Sequence, residues 1–532
     1  MQRFSLLLLA VTLAAQVSFE DIRKSPNQNW LTYAGDYKGH GLSPLTQITP
    51  ENVQNIVPKW TFKVPLAKSL RARPIVADGV MYYTNTNAIF ALDALSGRPI
   101  WQYIDTQAKK ESVNRGAAIL GNHVYFVTSD CYLVSLDRRT GGLAFRKQYA
   151  NIKDGVFCTA APLAIGGKII VGSAGGDEGM RGFLAALDPA TGAELWRTYT
   201  IPARGEPGSE TWGNFIEYGG AATWLSGTFD PDTNTLYWTT GNPWPDFYGG
   251  DRKGDNLYSC SLLAIDASTG KMKWYFQFTP GDWHDWDAQS WPILADVTYE
   301  GKPRKVIFHA NRNGFLYLLD RETGKYLRSA KLLENLDWAS GIDAKGRPLP
   351  IPGKDPTPEG NRVCPGVRGA TNWMSQSWNP ATGLLSVIVL EQCDIFTSSS
   401  KIPEPGKNFA GGGAGPKPKD AGHFFLRAFD PLTGQRKWQY PMTGKAEMWA
   451  GVTGTVTGLL FAGDDDGHLI GVDAKSGKHL WHYQMGDNVY TSPIIYMVDG
   501  KQYVAIASAT SIFAFGLFEP IKSVPVPPIS IP

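Results

Sequence analysis

The segment TPGDWHDWDAQSW (Thr279–Trp291) crowds Asp282, Asp285 and Asp287 together with His284 and the indoles of Trp283 and Trp286. In an extended chain, Asp285 and Asp287 project the same way. Two carboxylates on one side of an aromatic segment repel unless a cation or a proton compensates them. A hard cation bound through oxygen answers that need. The plainer reading is a set of turn-capping aspartates, and the residues alone leave the two open. Three further stretches break the surrounding pattern with polar residues: VGSAGGDEGMRGF (Val171–Phe183), TTGNPWPDFYGGDRKGDNLY (Thr239–Tyr258) and HANRNGFLYLLD (His309–Asp320). Other motifs read as plain structure. DPDTNT (Asp230–Thr235) has alternating oxygen donors but lacks the rest of an EF-hand loop, so it reads as a hairpin turn. GDDDGH (Gly463–His468) reads as a solvated turn, and GGGAGP (Gly411–Pro416), with no strand-to-helix context, as a loop.

The elements that must position these residues are set by a sevenfold repeat. Its copies are Ile89–Trp101, Leu133–Phe145, Leu184–Trp196, Leu262–Trp274, Leu316–Arg328, Leu426–Trp438 and Leu469–Trp481. Each joins an apolar strand, an Asp and a Ser/Thr-Gly turn, and five of them place Trp eight residues after the Asp. Repetition on this scale marks a solenoid, array or propeller. The Gly supplies positive φ, the Asp can bond turn amides, and the Trp suits a wedge between sheets. Because the Asp recurs in every copy, it reads as structural. Asp93 to Asp137 spans 44 residues and Asp430 to Asp473 spans 43, the length of a four-stranded blade with short loops. The long gap between Asp320 and Asp430 holds an extra blade around Ser377–Leu390. Asn52–Val64 resembles the outer half of another, which Gln502–Leu517 completes. Pairing the two ends closes the ring and removes exposed sheet edges. The expectation is an all-β fold, an eight-bladed β-propeller of four-stranded antiparallel blades. Lys401–Gly422 and Gly341–Gly360, rich in Gly and Pro, read as surface loops.

A net charge of +2 gives no field for nucleic acid or an anionic membrane. Arg3 followed by an apolar run to about Val17 reads as a secretory leader, too short to span a bilayer. Residues 1–18 are therefore expected to be a signal peptide with an approximate end, residues 19–532 a single propeller domain, and the location periplasmic. There are five cysteines, with no C-x-x-C zinc spacing and no C-x-x-C-H haem attachment. Export permits disulfides, but the spacing establishes no pair.

Together, GGAATW, TTGNPWP, RKGDNLY, NRNGFLYLLDRETG and DGKQYVAI resemble the quinoprotein alcohol dehydrogenases over nearly all of the chain after the leader. Their eight-bladed propellers, built from tryptophan-docking repeats, bind pyrroloquinoline quinone (PQQ) and a metal ion. The absence of a C-x-x-C-H segment resembles the branch without a fused cytochrome c domain. The resemblance implies Asp177, Asn242, Asp285 and Asp287 as metal ligands, with Asp285 as general base and Arg312 beside the quinone carbonyl. It implies Trp224 as the ring stacked on the quinone. Arg115, Thr159, Ala174, Gly175, Gly176 and Trp449 become further cofactor contacts. An acidic residue at Asp287 resembles the lanthanide-dependent type, which favours a lanthanide over calcium. Two departures bear on cofactor affinity. Lys109 and Lys110 stand where the family has adjacent cysteines, and Ala174 stands where a Ser often contacts the cofactor. The resemblance pairs Cys364 with Cys393. Cys131, Cys158 and Cys260 read as buried thiols, with a Cys131–Cys158 bond left open. The implied activity is oxidation of a primary alcohol to an aldehyde, with electrons passing to a soluble cytochrome c. A homodimer is left open. The alternatives are a scaffold propeller without catalysis and a dehydrogenase of sugars or polyols.

Overall fold

The structure is a computed structural model that describes residues 16–213, 219–400, 409–416, 422–444 and 450–519. Eight sheets form the blades of a closed propeller. Five are consecutive four-stranded meanders, running from Ile75–Ile104 through Ile293–Lys331 along the chain. The sixth combines Ser377–Asn379, Leu384–Glu391, His423–Asp430 and Gln435–Pro441, with the long excursion between its second and third strands. The seventh runs from Val452–Thr455 to His479–Gln484, and Leu42–Ser43 adds a parallel strand to it. The eighth takes three strands from the C-terminal part and its outermost strand, Ile56–Lys63, from the N-terminal part. The ring therefore closes through paired termini, and the sequence-based count of eight holds.

The repeat is explained atom by atom. Asp93 Oδ1 accepts hydrogen bonds from Leu95 N, Ser96 N and Ser96 Oγ at 2.9–3.0 Å. The same turn is built at Asp137, Asp188, Asp266, Asp320 and Asp473. The following Gly has φ near +70°; Gly97, Gly141, Gly270, Gly324 and Gly477 lie under an indole of the neighbouring blade, and Gly192 lies under Phe145. A Cβ on Gly141 would stand 2.8 Å from the Trp101 ring, and one on Gly270 2.6 Å from the Trp196 ring. The indole N–H groups of Trp101 and Trp196 donate to the carbonyl after the neighbour's Asp, Arg138 O and Ala267 O respectively, both at 3.1 Å. One blade's Trp thus locks onto the next blade's turn, burying a large apolar surface with its one polar atom paired.

This wiring also sorts the loops. In a four-stranded meander, the turns joining strands one to two and three to four emerge at one end. The turns joining two to three, and each blade to the next, emerge at the other. The repeated Asp–Gly turns occupy the first end. Each of the four non-periodic polar stretches contributes to the second.

Several expectations are corrected, and others hold. Gly412–Pro416, read as loop, is a strand paired with Asp394–Ser398 in a three-stranded sheet that includes Asn361–Val363. Within the other excursion, Ala339–Ile342 and Pro348–Pro350 form a hairpin. Cys131 and Cys158 form a disulfide instead of remaining thiols. Cys364 is bonded to Cys393, and Cys260 is a buried free thiol. Asp230–Thr235 is a hairpin turn, as expected, and Gly463–His468 is a hairpin turn too, but not a solvated one, because Asp464 and Asp465 are buried. The expected leader falls on residues 1–15, outside the described residues, except at its end. Val17 exchanges backbone hydrogen bonds with Gly121, and Ser18 caps the short helix Phe19–Arg23.

Candidate active site

At the second end of the ring, loops from six blades enclose a cavity of about 300 Å³. Arg71, and Ser112, Val113 and Arg115, enter from the loops preceding the first and second blades. Phe157, Thr159 and Ala174–Asp177 come from the third, Ala222, Trp224 and Asn242 from the fourth, Asp285, Asp287 and Arg312 from the fifth, and Asn372 and Trp373 from the sixth.

One part of the cavity suits a flat anionic group. The Arg115 guanidinium lies 4.5 Å from the centre of the Trp224 ring and 5.5 Å from that of Trp373. Its Nε and Nη1 are shielded from solvent and have no protein acceptor. Burial lowers its pKa to about 10, which still leaves it charged at neutral pH. Gly175, at φ +104°, lets the wall approach closely, since a Cβ there would collide with Gly155 O. An aromatic face, two unpaired N–H donors and a wall of backbone fit a planar polycarboxylate such as PQQ. Thr159 lines the cavity, but its hydroxyl is committed to Trp224 O at 3.2 Å, so it also anchors the Trp224 loop. Ala174 exchanges backbone bonds with Phe157. Where the family carries adjacent cysteines, Lys110 Nζ pairs with Glu178 at 3.2 Å and lies 4.2 Å over the Phe157 ring.

Acid dominates the other part. Asp287 is buried, and both of its oxygens accept hydrogen bonds. Oδ1 accepts from Asn242 N at 2.5 Å, and Oδ2 accepts from Trp224 Nε1 and Arg312 Nη1, both at 2.9 Å. Gly241 permits this approach, because a Cβ there would stand 2.5 Å from Asp287 Oδ1. Asp285 adopts a left-handed backbone, φ +58°, which is not the extended geometry expected, yet its Oδ2 reaches Arg312 Nη2 at 3.4 Å. Asp282 points elsewhere and caps the backbone of His284 and Trp286. Asp177 is exposed to the cavity but enclosed by the surrounding protein, and desolvation followed by Asp287 raises its pKa to about 6. Burial raises Asp285 and Asp287 as well, against the opposing pull of Arg312. Burial would lower Arg312, but Asp285 and Asp287 outweigh it and raise it.

Carboxylates that hold one another's pKa up in a shielded space fit a cation, which would favour their ionised forms. Among the described residues, no three His, Cys, Asp or Glu side chains close into a metal cage. A cation here would therefore draw on the Asn242 amide oxygen as well as on Asp177 and Asp285. Asp287 would contribute through the remaining lone pair of Oδ1.

The sequence-predicted residues Arg115, Thr159, Ala174, Gly175, Gly176, Asp177, Trp224, Asn242, Asp285, Asp287 and Arg312 all line this one cavity. Trp449 lies outside the described residues. Sequence reasoning missed Trp373, Phe157 and Asp246. Trp373 and Phe157 stand in inter-blade loops where no periodic signal exists. Asp246 lies within the singled-out Thr239–Tyr258 stretch, four residues after Asn242, among many other polar residues.

The family described as "PQQ: Glucose/ethanol/alcohol dehydrogenase, beta-propeller domain" matches residues 30–331 and 439–504. The quinoprotein alcohol dehydrogenase PedH of Pseudomonas putida is 36% identical over 540 aligned residues, covering 95% of this chain and 90% of its own. The quinohemoprotein alcohol dehydrogenase of Comamonas testosteroni superposes with a TM-score of 0.88 at 30% identity, over 94% of this chain and 82% of its own. A europium-containing methanol dehydrogenase superposes with a TM-score of 0.87 at 29% identity, over 94% of this chain and all of its own. The fold, the cavity and these relatives converge: the chain belongs to the PQQ-dependent, or quinoprotein, alcohol dehydrogenases and is an enzyme of that family.

Proposed function

We propose that this chain is a periplasmic enzyme that oxidises a primary alcohol to an aldehyde and passes the electrons to a soluble cytochrome c. The observation that carries the chemistry is the convergence of Asp285 and Asp287 on the Arg312 guanidinium, at the wall of a cavity that also holds Trp224 and Arg115. When bound, PQQ supplies the hydride acceptor and the cation a Lewis acid. Trp224 and Arg115 would hold the quinone, and Asp177, Asn242 and Asp285, with Asp287, the cation. The Asp285 carboxylate takes the hydroxyl proton of the alcohol as hydride leaves its carbinol carbon, so the alcohol loses two electrons and two hydrogens. Arg312, 3.4 Å from Asp285, favours the ionised base and stabilises negative charge developing beside it.

The preferred cation is a lanthanide over calcium. Several carboxylates around one site favour the higher charge, and the europium-containing relative supports that choice. The similarity to the 1-butanol dehydrogenase (cytochrome c) of Thauera butanivorans, 34% identical over 523 residues, supports cytochrome c as the electron acceptor. For export, we propose that residues 1 to about 18 are removed as a signal peptide; N-terminal sequencing of the exported protein checks this, and a mature protein that still begins at Met1 refutes it.

The decisive experiment reconstitutes the protein with PQQ and cation and follows dye-linked oxidation over a panel of primary alcohols, sugars and polyols. Asp285→Ala should lower turnover at least about 100-fold while the ring stays folded. Retained turnover would rule out Asp285 as the base, and activity confined to sugars would overturn the substrate class.

A further inference from the structure

Asn242 offers a cation two opposite faces. Its amide oxygen attracts and its NH2 group repels, while the two flipped forms have nearly the same shape. Something outside the amide must choose between them. Asn242 Nδ2 donates to Asp246 Oδ1 at 2.7 Å and, more weakly, to Pro243 O at 3.4 Å. The Pro243 carbonyl oxygen only accepts, as does the Asp246 carboxylate in its ionised form, so both partners draw the NH2 group to one side. Oδ1 is left facing the Gly176–Glu178 turn that carries Asp177, where a Cβ on Gly176 would stand 3.5 Å from it.

Asp246 is itself 5% exposed and held in place. On one side of it, Pro245 O accepts from Arg252 Nη2 at 2.8 Å; on the other, Phe247 N donates to Ala410 O at 2.8 Å. Arg252 also bonds Asn256 Oδ1 and Asp282 O, which ties this loop to the one bearing Asp285. A buried carboxylate beside other carboxylates is a costly choice for a simple hydrogen-bond acceptor.

Resting on the quinoprotein reading of the cavity, we infer that Asp246 is a positioning residue for the cation site: it fixes the Asn242 amide with its oxygen turned toward the metal. Groups that orient metal ligands in this way typically contribute 10–100-fold to metal affinity.

The test titrates the full metal-free chain with Tb3+, read by tryptophan-sensitised luminescence, with and without saturating PQQ. Asp246→Ala should weaken Tb3+ binding about 10–100-fold. Asp246→Asn keeps an acceptor oxygen for the Asn242 NH2 group and should stay within roughly threefold of wild type, because the geometry survives the loss of charge. In an Asn242→Ala background, Asp246→Ala should add almost nothing, because its effect runs through that one amide. Full affinity in D246A, equal losses in D246N and D246A, or additive losses in the double variant would each overturn the inference. Should D246A fail to fold, Asp246→Val takes its place. If neither folds without metal, the residue is structural and the inference falls. A wild-type chain that takes up no Tb3+ in either condition overturns the metal reading itself, an outcome distinct from a wild type that binds and a D246A that binds equally.

Discussion

Asp287→Ala separates a structural hub from a metal ligand. In the structure Asp287 receives three donors: Asn242 N at 2.5 Å, Trp224 Nε1 at 2.9 Å and Arg312 Nη1 at 2.9 Å. Truncation leaves all three without their acceptor in a buried place and removes the closer of the two carboxylates paired with Arg312. Breaking a buried ion pair from one side typically costs about 3–5 kcal/mol. Two effects oppose that loss: Asp285 remains as a partner for Arg312, and the mutual repulsion with Asp177 disappears. The expected net loss for the metal-free protein is about 3 kcal/mol. For a chain of 532 residues, the unfolding entropy near the midpoint is about 1 kcal/mol/K, so Tm should fall by roughly 3 °C. The assay is thermal unfolding of metal-free, PQQ-free protein by near-UV circular dichroism at one scan rate. Asp287→Asn, with one acceptor oxygen facing donors on both sides, should fall between. A metal-free D287A as stable as wild type would show that the three hydrogen bonds contribute nothing net. A more stable D287A would show that repulsion among carboxylates dominates the metal-free site and that Asp287 is present for the cation alone.

Gly141→Ala and Gly270→Ala each force a side chain at φ near +72° into an indole 2.6–2.8 Å away, and each should cost about 2–5 kcal/mol, read as a lower denaturation midpoint. Gly121→Ala, also at positive φ but with open space around it, should cost only the backbone part, about 1–2 kcal/mol. Arg115→Ala should weaken PQQ binding about 100-fold, measured by equilibrium dialysis, because the two unpaired donors over Trp224 are lost; unchanged binding would place the cofactor's carboxylates elsewhere. His309 is fully buried against Phe278, and desolvation lowers its pKa to about 3. The unfolded chain therefore binds a proton below about pH 6.5 that the folded chain refuses, so stability falls as pH drops through that value. Between pH 7 and pH 5 the loss should be about 2 kcal/mol, and His309→Gln should remove that part of the slope in denaturant titrations.

The ring was legible in the sequence because its locking device is local and repeated. Asp, Gly and Trp recur at fixed offsets, and each offset has one geometric job: Asp93 holds turn amides, Gly141 and Gly270 yield space, and Trp101 and Trp196 fill it. The strand at Gly412–Pro416 was not legible, because Gly412, Gly413, Ala414 and Gly415 carry no strand preference, Pro416 lacks an N–H to donate, and the pairing with Asp394–Ser398 decides the conformation. The disulfide Cys131–Cys158 was likewise invisible to spacing, since the contact depends on how the third blade meets the second. Within the site, residue types pointed to a cation, but the wiring did not show. The donors to Asp287 lie 63, 45 and 25 residues away, at Trp224, Asn242 and Arg312, and no pattern in any one segment links them.

The two ends of the ring explain why this division falls where it does. Every blade must dock on the next, so the turns that do the docking are held to one solution and repeat. The loops at the opposite end make no such contact with a repeated partner, and they are free to differ. Asp177, Asn242, Asp285 and Arg312 all come from that end, each from a loop whose length and composition break the period. A substitution in a docking turn should therefore lower stability and leave cation affinity intact in the fraction that stays folded, whereas one among these loops should do the reverse. Asp287 is the exception by construction: its three donors bind the inner loops of the fourth and fifth blades to each other, so the same carboxylate supports the ring and the site, and its replacement should register in both assays at once.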